Sequence, residues 1–264
     1  MARIDAFGNE LKQWRQRRRL SQLELAVDAQ ISTRHLSFIE TGRSRPSRGM
    51  VLHLAALLEL PLRERNNLLH AAGFSPAFSA NTLDAGAMAA AMSAVDMVLG
   101  AHGAFPAVAV DRCWNLLRAN DAAQRLLGGV APQLLVPPAN VLRLTLHPEG
   151  LAPRLKNLGQ LRAHLLDRLS RQVRQSGDTE LATLLEELSA YPAPTGSDIE
   201  LPTPDADVVV PLRLDTPFGV LSMFSTITVF GTPTDVTLSE LAIETFYPAD
   251  EESRVLLFKL AEQG

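Results

Sequence analysis

One cysteine, Cys113, stands in 264 residues. The chain can therefore close no disulfide within itself, which fits a reducing compartment, and no paired-cysteine metal motif is open to it. Six histidines occur, His35, His53, His70, His102, His147 and His164, and no two have the spacing of a helical zinc pair. His147, Glu149, His164 and Asp167 make a metal site on paper, but their flanks carry no supporting signature. Neither a glycine-rich phosphate loop nor a nucleophile elbow is present. Cys113, beside Trp114 in an expected strand, reads as a small buried hydrophobe, with a redox-sensing thiol as the alternative. These gaps argue against an enzyme and against a bound metal.

Long apolar runs are missing too. Ala85 to Gly100 is alanine-rich but broken by Asp96, so it reads as a connecting helix rather than a membrane span. The opening residues, MARIDAFGNELKQW, carry charges where a signal peptide needs an apolar stretch. The expectation is a cytoplasmic protein with no membrane partner. An apolar share of 46% and a length beyond the usual single domain leave room for two separate cores.

Charge is divided unevenly between those cores. Residues 1 to 75 hold twelve Lys and Arg against seven Asp and Glu, a charge of +5. The rest hold thirteen against twenty-two, a charge of −9, so the net −4 conceals a basic module joined to an acidic one.

Within the basic module the stretch SQLELAVDAQISTRHLSFIETGRSR, residues 21 to 45, carries the most information. Ser21 and Glu24 have the spacing of a capping box, which predicts a helix from Gln22 with Leu25 and Ala26 facing inward. Ser32 is a natural cap for a second helix that stops at Gly42. On it Leu36 and Ile39 point to the core, while Thr33, Arg34, Ser37 and Phe38 point out. Hydroxyls, an arginine and an aromatic ring on one exposed face suit base edges in a DNA groove. Lys12, Arg15, Arg17, Arg18 and Arg19 precede this pair of helices and Arg43, Arg45 and Arg48 follow it, where phosphate contacts set register without reading sequence. Val51, Leu54, Ala55 and Leu58 then mark an amphipathic helix over 48 to 58, and Pro61 opens a fifth that ends at Gly73.

On these residues, positions 8 to 74 resemble the helix-turn-helix domain of the Xre family, the five-helix bundle of lambda-type repressors. The resemblance implies that Gln22 bonds a phosphate and braces the second helix of the pair, and that Thr33, Arg34, Ser37 and Phe38 face bases. It also implies that Arg15 and Glu40 form a buried structural ion pair. The family's turn glycine is replaced here by Gln30, which predicts strain at a positive φ.

The acidic part begins near Phe105, after a linker region, FSPAFSANTLDAG, and the connecting helix. PAVAVDRCWNLLRAND predicts two short strands around a turn at Asp111-Arg112, then a helix capped by Asn120 or Asp121. Residues 157 to 175 and 178 to 190 predict two helices. A proline-rich stretch, YPAPTGSDIELPTP, returns the chain to strands in VVVPLRLDTPFGVLSMFSTITVFG, and a last helix covers 250 to 262. This order is that of a PAS-like α+β domain, an antiparallel sheet with helices cupped over one face, a natural pocket for a small molecule.

AVDRCWNLLRAND, HPEGLAPRLKNL, ELSAYP and STITVFGTPTDVTLSELAIETFYPAD resemble the MmyB-like regulator domain that follows Xre modules. The resemblance implies a PAS-like cavity for a fatty-acid-like or other small amphiphilic ligand. Where that family commonly has tryptophan, this chain has Leu158, which implies a roomier pocket if the position lines it. Apolar candidates for the lining are Val110, Trp114, Leu142, Phe224, Ile227 and Phe230. Polar candidates are Asn120, Arg143, His147 and Arg168. Arg168, inside a charged helix, reads as a surface residue, and His147-Pro-Glu149-Gly reads as a turn.

The expected whole is a five-helix DNA-binding domain over 1–75, a linker with a connecting helix over 76–104 and a PAS-like ligand-binding domain over 105–264. Its expected partners are a double-stranded operator, a small hydrophobic ligand and a second copy of the chain. No cofactor is required, and a fatty acid or similar amphiphile is a candidate occupant. The alternative is an antitoxin-like repressor whose large domain binds another protein. An enclosed cavity favours the first, an exposed apolar groove the second.

Overall fold

A computed structural model describes residues 2–83, 86–192 and 209–262. Five helices come first: α1 (Ala2–Arg17), α2 (Gln22–Asp28), α3 (Thr33–Glu40), α4 (Arg48–Leu57) and α5 (Leu62–Ala71). Next come α6 (Ala89–Ala101), strands β1 (Ala107–Val110) and β2 (Leu116–Ala119), α7 (Asp121–Leu126) and α8 (Val141–Leu146). The long helices α9 (Leu158–Ser176) and α10 (Thr179–Ala190) precede β3 (Leu212–Thr216) and β4 (Gly219–Val229). A short turn of helix, α11 (Val236–Ser239), then β5 (Ala242–Pro248) and α12 (Glu251–Glu262) complete the chain. Most of the proline-rich stretch expected to lead back into strands lies outside the described residues.

Two compact units result. The first comprises residues 1–81 together with Thr232–Ser239, the second residues 82–231 and 240–264. The residues expected to form the linker are therefore shared out. Those up to Asn81 belong with the five helices, and α6 belongs with the sheet.

The first unit is helical, and Ser21 and Ser32 cap its second and third helices as the sequence predicts. The Ser21 hydroxyl accepts from the Glu24 amide while the Glu24 carboxylate accepts from the Ser21 amide at 2.7 Å, satisfying two free helix-end donors together. The Ser32 and Ser47 hydroxyls cap α3 and α4 more simply, accepting from the amides of His35 and Met50. Leu25, Leu36, Ile39, Val51, Leu54, Leu58, Leu68 and Leu69 are fully buried around Phe7, Leu11 and Trp14 of α1. Gly8 lets α1 cross the end of α3. A Cβ there would lie 2.3 Å from the Glu40 carbonyl oxygen, too close for any other residue. Gln30 does adopt the left-handed conformation, φ 55°, as α2 ends. The Ile31 amide bonds back to Ala26 in the manner of a glycine-terminated helix, so a side chain sits where glycine costs least.

Thr232–Ser239 is tied to the end of the helical bundle. Asn66 of α5 accepts from the amides of Ala77 and Phe78 and donates to the Phe78 carbonyl, fixing the chain that follows α5. Asp235, itself buried, accepts from the amide and side chain of Asn81 and from the amide of Leu238. Val236 is buried and donates its amide to Ser79. Although burial alone would raise it, the Asp235 carboxyl is held below its ordinary value by these bonds.

The second unit is an α+β domain on a five-stranded antiparallel sheet, ordered β2-β1-β5-β4-β3. The β4–β5 pair is the longest, running from Met223 opposite Pro248 to Val229 opposite Ala242. Because side chains alternate across a strand, register assigns each residue to a face. One face carries Val108, Leu214, Met223, Ser225, Glu244 and Phe246, and α7, α8 and α9 cover it. The other carries Ala107, Ala109 and Ile243, on which Met92, Val95 and Leu99 of α6 pack. The expected connecting helix is thus one layer of the domain. The β1–β2 link is a longer loop than a two-residue turn. Asp111 accepts from the amides of Cys113 and Asn115, and Trp114 takes φ 67°.

Candidate functional site

Two places in the chain are built to meet another molecule, one in each unit. In the first unit, α3 exposes Arg34 and leaves Thr33, Ser37 and Phe38 half-buried. Leu36, Ile39 and Glu40 on its opposite side are buried. Phe38 lies between two cations. The Arg34 guanidinium is 5.2 Å from its ring centroid and that of Arg43 is 5.9 Å, both within cation–π range. Arg43, Arg45 and Arg48 are exposed in the loop and at the start of α4.

A buried network holds this helix from behind. Arg15 grips Glu40 with two bonds, Nε to Oε1 at 2.7 Å and Nη2 to Oε2 at 3.0 Å, and also reaches the Leu20 carbonyl. The Gln22 amide nitrogen donates to Glu40 Oε2 at 2.7 Å. Gln22 therefore braces α3 through Glu40, and the Glu40 side chain joins α3 to both α1 and α2.

In the second unit a cavity of about 230 Å³ opens between the sheet and helices α7 to α9. Its apolar wall includes Val108, Leu116, Leu142, Leu161, Leu165, Leu214, Met223, Ile227 and Phe246. Among the described residues that line it, only His164, Arg168 and Glu244 ionise. Arg168 Nη1 is 3.6 Å from Glu244 Oε1, which also accepts from the Ser225 hydroxyl at 2.8 Å. The Arg168 guanidinium carbon sits over Trp114, 4.2 Å from its ring centroid, while the Trp114 indole donates to Gln172. Partial burial, and then the nearby charges of Arg168 and Arg171, hold the His164 imidazole below its ordinary value.

Leu142 and Ile227 line the cavity as expected, and the other sequence candidates, Arg168 aside, lie elsewhere. Val110 is core, and Trp114 stands behind Arg168. Phe224 stacks on Tyr247, and Phe230 packs with the α6 layer. The position of Phe224 follows from the two-residue period, for even-numbered residues of β4 face away from the cavity, and Phe230 lies just past the end of that strand. Asn120 is a structural hub. It caps α7, accepts from the Ala107 amide and donates to the carbonyls of Leu99 and Phe105. Arg143 forms a two-bond pair with Glu187 of α10. The His147 ring accepts from the Glu149 amide in a turn and meets Tyr191 edge-on. Leu158 packs against the main core outside the lining.

Arg168 is the reverse case. Read as a surface residue, it lines the cavity, because α9 turns its Leu161–Leu165–Leu169 face to the core and Arg168 flanks that stripe. Ser225 and Glu244 carried no local signal. Their opposed strands had to be paired before either could be assigned to the site.

The other cluster of charged groups is already satisfied. Cys113, Asp178 and Glu180 lie together, but Arg112 pairs with both carboxylates. Burial pushes the Cys113 thiol up to about 11, which suits the inert reading of that residue and not a reactive thiol. Cys113 sits in the loop between β1 and β2 rather than in a strand.

Residues 91–260 match the MmyB-like transcription regulator ligand binding domain, and residues 6–68 match a helix-turn-helix domain. The chain belongs to the MmyB-like transcription regulators. No curated protein matches the chain. Among solved structures it is similar to an RNA-binding light-oxygen-voltage receptor at 15% identity and a TM-score of 0.24. That alignment covers 98% of this chain and 63% of the receptor's, so the chain spans less than two thirds of that receptor's length. A DNA-binding regulator with a ligand-binding domain accounts for both sites. Among the described residues, no helix is long and apolar enough to cross a membrane.

Proposed function

We propose that this MmyB-like regulator is a cytoplasmic, Xre-type repressor or activator. On this reading it binds its operator as a homodimer and senses a small amphiphile with a fatty-acid-like chain. The observation that carries the ligand half is the cavity, apolar over most of its wall with one polar cluster, which is the make-up of a small-molecule site. An apolar interior also fits a sensor better than the antitoxin-like alternative, which calls for an outward groove. No catalytic group is assigned.

For the DNA half, Thr33, Arg34, Ser37 and Phe38 face base edges, and Arg43, Arg45 and Arg48 contact phosphates. Gln22 adds a phosphate contact while bracing α3. The two recognition helices of a dimer enter successive major grooves about 34 Å apart. Ligand binding shifts operator affinity by favouring one pairing of the two chains.

Mass spectrometry of an organic extract of the natively purified protein, followed by anisotropy titration of a duplex selected from a random library, tests this reading. The expected result is a bound amphiphile whose removal changes operator affinity. A protein that stays monomeric on its selected duplex, with affinity indifferent to every added amphiphile, refutes it.

A further inference from the structure

The polar end of the cavity has a particular charge balance. Arg168 brings one positive charge and Glu244 one negative, 3.6 Å apart, with Glu244 buried to 7% exposure. His164, also in the lining, is held below its ordinary value by partial burial and by the charges of Arg168 and Arg171. Ser225 adds a hydroxyl already turned onto Glu244. Arg168 and Glu244 thus balance one another, two opposite charges side by side in the lining.

This decides which head groups fit. A free carboxylate drawn to Arg168 also meets the Glu244 carboxylate in a poorly hydrated space, where like charges repel strongly. A protonated amine drawn to Glu244 meets Arg168 and fails for the mirror reason. An uncharged group with both an acceptor and a donor satisfies each partner, a carbonyl accepting from the Arg168 guanidinium and an N–H or O–H donating to Glu244. Such bonds to charged partners are among the stronger ones available in a partly dry site. The guanidinium has little freedom to leave for another ligand, since it sits over the Trp114 ring and Gln172 holds the indole.

We propose that the cavity selects a single-chain amphiphile whose head group is uncharged and carries both a hydrogen-bond donor and an acceptor, such as an N-acyl amide, over a free fatty acid. This rests on the cavity being the sensor site. Arg168 and Glu244 are then specificity residues that read the head group while the leucine-rich wall takes the chain.

Calorimetric titration of the full chain at pH 7.5 with three ten-carbon probes tests it: N-(2-hydroxyethyl)decanamide, decanoate and decylamine. The amide is expected to bind at least tenfold more tightly than either charged probe. Glu244→Gln leaves Arg168 uncompensated and should raise decanoate affinity at least tenfold. Arg168→Gln should do the same for decylamine. Decanoate binding the unaltered protein as tightly as the amide, or more so, overturns the inference while leaving the cavity as a ligand site. If no probe binds, the sensor reading fails and the inference falls with it. Should a variant not fold, the comparison on the unaltered chain still decides the matter.

Discussion

Arg15 and Glu40 meet by two bonds of 2.7 and 3.0 Å, with side chains only 8% and 1% exposed. They come from helices α1 and α3, so the pair fixes the recognition helix to the bundle. Removing one partner strands the other charge in a dry place, at a cost of about 3–5 kcal/mol. Glu40→Ala is therefore expected to lower the melting temperature of the helical unit sharply. Because Glu40 is turned away from the exposed face of α3, the ratio of specific to random DNA affinity should change little in whatever protein remains folded. Thermal denaturation followed by circular dichroism, with duplex titration below the transition, measures both.

Gln30 holds φ 55° at the end of α2. A side chain in that conformation costs about 1–2 kcal/mol, part of which glycine returns through its greater freedom when unfolded. Gln30→Gly is expected to stabilise the chain by roughly 0.5–1 kcal/mol. An unchanged or lower denaturant midpoint would show that the Gln30 side chain supplies an offsetting contact.

The proposed reading face makes a separate prediction. Arg34→Ala should lower affinity for the selected duplex by about 1–3 kcal/mol and relax preference at one base position. Equal loss on random DNA would reassign Arg34 to a phosphate. Phe38→Leu removes the ring that both Arg34 and Arg43 approach. It should weaken specific and random binding together, since one of the two arginines is a proposed phosphate contact.

Asn120, expected from sequence to anchor a ligand, instead ties β1, α6 and α7 together through four backbone groups. Asn120→Ala leaves several of these without partners and should cost at least about 2 kcal/mol. Ligand affinity per folded molecule should be unchanged. A fall in affinity without a fall in melting temperature would return Asn120 to the binding site.

The first unit was legible in the sequence because its signals are local. Ser21, Ser32 and Pro61 each announce a helix start within a few residues, and the Val51–Leu54–Ala55–Leu58 spacing announces a buried face. Helices α6, α7, α9, α10 and α12 and strands β1 to β4 of the second unit were also readable, but α8, β5 and the cavity were not. Its lining depends on which residue of β4 stands opposite which residue of β5, and hydrophobicity does not carry that information when both faces of a sheet are covered. Choosing large aromatic residues therefore selected Phe224 and Phe230, which lie on the far side. The Arg168–Glu244 pair was hidden for a related reason: its members belong to a helix and a strand far apart in the chain.

Thr232–Ser239 completes the helical unit although the chain reaches it only after β4. No single cut releases the DNA-reading module whole. A fragment ending at Asn81 loses the buried Asp235 and Val236, and with them the partners of the Asn81 and Ser79 backbone. For an experimenter, the isolated reader is a weakened object unless that peptide is supplied or grafted. For the gene, the reader and the sensor are inherited as interleaved pieces, and exchanging one between relatives takes matched changes at two distant places in the sequence.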